Sequence, residues 1–187
     1  MAKILGLDIS SQRTGVAVLN KGRLLRSSFE LIEPNPKKSY GERLSYFRTE
    51  LRRILAKHQP EHIVIEDIFK GRNLKTFKIL AMFRGVAIQT IYEETNQNPV
   101  SLMPTDARST LDIGVGKEDA FCALVEKYKL DDFNFDDHND IVDAIGLASA
   151  LQVLIKQGHD AKSLQSLGRG KKRKRRRNKK GVSKARS

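Results

Sequence analysis

Two short apolar runs that each end in an acid constrain this chain most. Lys3-Ile-Leu-Gly-Leu-Asp8 and His62-Ile-Val-Ile-Glu66 read as strands with apolar centres and a carboxylate at the exit. An ionised carboxylate there is costly unless something positive meets it. Neighbouring strand ends in a parallel-type sheet open into one crevice, so Asp8 and Glu66 are expected to meet.

The elements around them follow from periodicity. Gly15 to Leu19 is expected as a second strand, and Asn20-Lys21-Gly22 signals a hairpin into a third strand over Arg23 to Ile32. Tyr40 to His58 carries Leu44, Phe47, Leu51, Ile54 and Leu55 at helical spacing, with Arg43, Arg48, Arg52, Arg53 and Lys57 on the other face. The helix-then-strand order into His62 to Glu66 implies a parallel crossover. A second helix is predicted over Thr76 to Glu94, a strand over Asn98 to Met103 and a helical turn over Asp106 to Leu111. A glycine-containing loop then leads to a shorter helix, Glu118 to Tyr128. Asp131 to Asn139 reads as an acidic loop before a last helix, Asp140 to Lys156. This order predicts an α/β fold, a ribonuclease-H-like mixed five-stranded sheet flanked by helices.

The last helix adds Asp140 and Asp143, spaced i, i+3 on one face. Asp140 is expected in the first turn, where the helix macrodipole favours an anion. Taken singly, Asp8 reads equally as a turn acid and Asp140 as a helix cap. Taken together, four acids without a basic partner in their own motifs call for a divalent cation, and oxygen ligands suit Mg²⁺ or Mn²⁺. Asp67 should point to the other side of its strand, into solvent.

Charge is unevenly spread. The 187 residues hold 35 Lys and Arg against 22 Asp and Glu, a formal net charge of +13. Twelve of those cations and no acid fall in 169–187, which leaves residues 1–168 with a net charge of +1. A folded domain is therefore expected over 1–157 and a flexible basic tail over 158–187, since the apolar pattern ends there. The lone Cys122 excludes an intramolecular disulfide and a zinc cluster, and it reads as a small apolar residue on a helix face. Lys3 and Asp8 interrupt the first apolar run, so neither a secretion signal nor a membrane span is expected. A soluble protein in a reducing compartment, the cytoplasm, is expected.

Four segments carry a family resemblance: Ile4 to Val18, Ile65 to Asn73, Phe83 to Ile88 and His138 to Ala144. In this order they resemble the RuvC-type Holliday-junction resolvases. The tail run Lys171, Lys172, Arg173, Lys174, Arg175, Arg176 and Arg177 departs from a compact bacterial member and suggests a phage or viral one. The resemblance implies that Asp8, Glu66, Asp140 and Asp143 are catalytic and bind metal, with two Mg²⁺ or Mn²⁺ about 4 Å apart at the scissile phosphate. It also implies that Phe69 stacks on a base near the crossover and that a homodimer cuts a four-way DNA junction symmetrically. Lys70, Arg72, Lys75, Arg108 and Lys117 are DNA-contact candidates, as are the tail cations, which bind phosphates without reading sequence. Arg84 lies on a helix like the family's dimer-interface helix, and His138 is expected near the metals or facing solvent. Another ribonuclease-H-like nuclease, acting on flap DNA or RNA, and a non-catalytic junction-binding protein remain open readings. A sugar-kinase-like ATPase is suggested only by the first hairpin.

Overall fold

The structure is a computed structural model that describes residues 2–68, 73–114, 116–160 and 164. Among them are five strands, β1 (Lys3–Asp8), β2 (Thr14–Asn20), β3 (Arg23–Ile32), β4 (His62–Glu66) and β5 (Val100–Leu102). Five helices accompany them: α1 (Tyr40–His58), α2 (Leu74–Thr95), α3 (Pro104–Leu111), α4 (Lys117–Tyr128) and α5 (Phe135–Lys156). No described helix is long and apolar enough to cross a membrane.

The sheet order is β3-β2-β1-β4-β5, a five-stranded sheet as expected. The first three strands form an antiparallel meander, and β1–β4 and β4–β5 are parallel. Lys21 and Gly22 both have positive φ, 51° and 82°, which suits the two-residue hairpin turn between β2 and β3. β5 is shorter than expected, because it pairs only with Val64, Ile65 and Glu66 at the sheet edge.

Strand parity sorts the sheet into two faces. Leu5, Leu7, Val16, Val18, Ile63 and Ile65 pack against Phe47, Leu51 and Ile54 of α1 and Phe83, Ala87 and Ile91 of α2. Phe47 and Phe83 meet edge to face at 5.4 Å. The opposite face, with Ile4, Leu19 and Val64, packs under α3 and α5. Ala17 lies there too, with Leu124 of α4 against Ile141 and Ile145 of α5. Leu164 is also buried in that layer. Each such buried aliphatic side chain contributes roughly 1.5–3 kcal/mol.

Three further details differ from the sequence expectation. α5 begins at Phe135, because the Asn134 side chain caps it by accepting from Asp137 N, and Asp136 and Asp137 occupy its first turn. Asp140 is therefore in the second turn, and the helix macrodipole does not explain its place. Arg43 is buried rather than on the solvent face of α1; its guanidinium donates to the Ser11 carbonyl and lies 5.7 Å from the Phe83 ring centroid. Cys122 is exposed, since α4 turns Ala120, Phe121 and Leu124 inward instead.

Candidate active site

The parity that builds the core also gathers the acids. Asp8 follows Ile4 and Gly6 on the α5 side of β1, and Glu66 follows His62 and Val64 on the same side of β4. The β1–β4 register runs to Leu7↔Ile65, so the two acids leave neighbouring strands one residue later, side by side. Their carboxyls share a hydrogen bond.

Asp140 and Asp143 come down on this pair because glycines let α5 approach. The Asp140 carbonyl lies over Gly15 and the Ala144 carbonyl over Gly6, at 1.9 and 2.1 Å from where a Cβ would stand. Gly15 is itself the ladder partner of Asp8. Two helix-to-strand contacts thus set one turn of α5 beside the two strand ends.

The electrostatics follow from this crowding. Burial pushes the Asp8 carboxyl well up from its ordinary range; the hydrogen bond and charge of Glu66 push the same way, then the charges of Asp143 and Asp140. Burial also raises Asp143, against the pull of Lys117 and Arg108. For Lys117, burial opposes the charge, yet the hydrogen bond to Asp143 and the fields of Asp143, Asp8 and Asp140 leave its pKa raised. Lys117 Nζ stands 3.0 Å from Asp143 Oδ2. Arg13 Nε donates to Asp140 Oδ2 at 2.5 Å.

Four mutually repelling carboxylates, one driven toward its protonated form, make a site that favours added positive charge. An all-oxygen donor set of this kind fits Mg²⁺ or Mn²⁺. Among the described residues no three acid, His or Cys side chains already stand as a finished cation cage. The ion pairs to Arg13 and Lys117 hold Asp140 and Asp143 instead.

The remaining expected residues are spread around this centre. Arg108 lines a small cleft of about 20 Å³ with Glu66 and Asp143, together with Leu111, Leu124 and Leu147. Lys75 is exposed at the start of α2. His138 stacks on Phe133 at 4.2 Å and its Nδ1 faces Asn134, which accounts for it without a role at the acids. Phe69, Lys70, Arg72 and the tail run 171–177 lie outside the described residues.

Asp67 is not solvated as expected. It leaves the strand and accepts from Arg84 at 2.9 Å, while the same guanidinium donates to Ser101 Oγ at 2.7 Å. Arg13 was missed altogether by sequence reasoning. It sits inside the motif that follows Asp8, but its partner is 127 residues away and no local pattern marks it.

Comparison with known proteins identifies the family. The family model described as crossover junction endodeoxyribonuclease RuvC matches residues 4–150. The chain belongs to the RuvC family. A RuvC relative from Brachyspira hyodysenteriae is 30% identical over 149 residues, 78% of this chain and 92% of that protein. One from Citrifermentans bemidjiense is 34% identical over 87 residues, 46% of this chain. That second match spans about half the relative's length, 53%. Thermus thermophilus RuvC, solved in complex with a Holliday junction substrate, shares the fold. Its TM-score is 0.73 at 17% identity, over 84% of this chain and 97% of that one. The yeast mitochondrial Holliday junction resolvase shares it with a TM-score of 0.59 at 13% identity, over 87% and 82% of the two chains. This RuvC-family chain therefore has the expected ribonuclease-H-like architecture.

Proposed function

We propose that this RuvC-family chain is a metal-dependent endonuclease that resolves four-way DNA junctions, with Asp8, Glu66, Asp140 and Asp143 as metal ligands. The observation that carries the reading is the convergence of these four acids from β1, β4 and one turn of α5 on a single face of the sheet. The curated RuvC relatives are crossover junction endodeoxyribonucleases, and the Thermus thermophilus neighbour was solved with a junction, which supports the substrate class.

Two divalent cations, Mg²⁺ or Mn²⁺, would supply activation of a water and stabilisation of the leaving oxygen when bound. The protein's own part is to hold four oxygen donors in place and to bring the DNA backbone to them. Arg108 and Lys117 flank the acids and offer cations for phosphates. Lys75, Lys70, Arg72 and Phe69 lie in or beside the β4–α2 connection, where Phe69 would stack on an exposed base. The tail cations 171–177 add salt-sensitive, sequence-independent attraction to a nearly neutral domain.

The working unit we propose is a homodimer, so that two sites cut opposed strands. Leu74, Lys78, Met82, Gly85 and Gln89 form an exposed stripe along α2, with Leu74 52% and Met82 44% exposed. Gly85 has nothing within 4 Å of where a Cβ would stand, so a second helix has room to approach.

A synthetic four-way junction, incubated with Mg²⁺ or Mn²⁺ beside duplex, flap and RNA–DNA hybrid substrates, tests the reading. Paired, ligatable nicks on the junction are expected, and Asp8→Asn should bind the junction without cutting it. Preferential cleavage of flap or hybrid would move the chain to another ribonuclease-H-like activity.

A further inference from the structure

Arg13 reaches from the β1–β2 turn to α5, where its Nε donates to Asp140 Oδ2 at 2.5 Å and a terminal nitrogen donates to the Asp136 carbonyl at 3.1 Å. A guanidinium stays charged at every working pH, and this hydrogen bond to Asp140 raises its pKa further. The contact is partly sheltered, with the two side chains 27% and 19% exposed. A charge-assisted hydrogen bond in that setting is stronger than a surface ion pair.

Asp140 belongs to a cluster with a surplus of negative charge, and Arg13 is the cation paired with it directly, as Lys117 is with Asp143. The bond takes up one of the oxygens that a metal ion would need. Arg13 also lines an open hollow of about 580 Å³ with Ser10, Glu33 and Asn139, which leaves space beside Asp140 for a displaced guanidinium.

We propose that Arg13 is the built-in counter-ion of Asp140 and competes with the divalent cation for it. This rests on the reading of Asp140 as a metal ligand. Loading the site is then an exchange of cations: the ion takes Asp140 Oδ2, and the guanidinium leaves for the hollow. Arg13 thereby sets the metal concentration at which the site fills, and it keeps Asp140 ordered while the site is not loaded.

The test is a Mn²⁺ titration of the full chain without DNA, with free Mn²⁺ read by electron paramagnetic resonance. Arg13→Gln should bind Mn²⁺ about fivefold or more tighter than the unmodified protein, the lower end of usual coupling between two ligands. The gain should largely disappear in the Asp140→Asn background, because the oxygen in dispute is gone. Unchanged or weaker binding by Arg13→Gln would overturn the proposal. So would an equal gain in both backgrounds, since that is a general charge effect. If neither the unmodified protein nor Arg13→Gln binds Mn²⁺, the assignment of the four acids fails and takes this inference with it.

Discussion

The backbone carbonyl of Asp140 lies 1.9 Å from the point where a Cβ on residue 15 would stand, so only glycine at that position lets α5 reach the sheet. Because Gly15 is paired with Asp8 across the β1–β2 ladder, this close approach is what carries Asp140 to Asp8. Gly15→Ala must push the first half of α5 outward. The expected cost is about 1–3 kcal/mol, the range for overfilling a close-packed interior, together with weaker Mn²⁺ binding. Gly41→Ala, where nothing stands within 4 Å, should be neutral or slightly stabilising. Urea unfolding with and without Mn²⁺ separates the two effects.

The buried Asp8 carboxyl makes metal-free stability depend on pH. Its folded-state pKa lies above the ordinary 3.8, so the folded chain holds a proton that the unfolded chain releases. Stability is therefore fully present below 3.8 and falls as pH rises toward the raised value. Asp8→Asn removes that loss. In chelator it should melt above the unmodified protein at neutral pH, and the gap should close on acidification below the ordinary carboxylate range. Each 1 kcal/mol of relief raises Tm by about 2–4 °C in a domain of this size. Thermal melts across pH check this, and no difference at neutral pH would mean that Asp8 is not under strain from its neighbours.

What the sequence made legible is what period-two alternation can carry. Ile4, Gly6 and Asp8 share a face, as do His62, Val64 and Glu66, and a parallel crossover makes those faces the same one. The start of α5 was hidden because residues 135–140 have no apolar stripe. Their helix is held by the Asn134 cap and by acids at its N-terminus, and the apolar run begins only at Ile141. Arg43 was assigned to solvent by helical spacing, yet the rings of Tyr40 and Phe83 and the Ser11 carbonyl make it a buried residue. The pairs Arg13–Asp140 and Arg84–Asp67 depend on tertiary approach, which no local pattern encodes.

Arg84 ties Asp67, the residue after Glu66, to Ser101 at the end of the parallel sheet. The Asp67 carboxylate also accepts from Ile68 N at 3.0 Å, so it fixes the chain where it leaves β4. Arg84 is only 14% exposed, and Arg84→Met leaves the acid half-buried without its cation. A loss of about 1–3 kcal/mol in unfolding free energy is expected, with kcat for junction cleavage reduced through a displaced Glu66. Paired with Asp67→Asn in a double-mutant cycle, the two losses should be strongly non-additive. Additive losses would show that the ion pair does not hold the strand exit.

The charge is divided between nearly neutral residues 1–168 and the twelve cations of 169–187, and on the proposed function this predicts a division of DNA binding. Each phosphate neutralised on duplex DNA contributes about 0.9 to the slope of log affinity against log salt. If the tail supplies several such contacts, removing 169–187 should lower that slope by several units and weaken junction and plain duplex alike. Arg108→Ala and Lys117→Ala act beside the acids, so each should lower the slope by about one and slow cutting out of proportion to binding. For Lys117 the reason is on α5: without its ammonium 3.0 Å away, Asp143 loses its hydrogen-bond partner and keeps only the charge of Arg108 against the upward pull of burial on its pKa. The measurement is junction affinity in Ca²⁺ over a salt series, beside single-turnover cleavage in Mg²⁺. A tail deletion that leaves the slope unchanged would place the DNA attraction in the globular domain despite its small net charge.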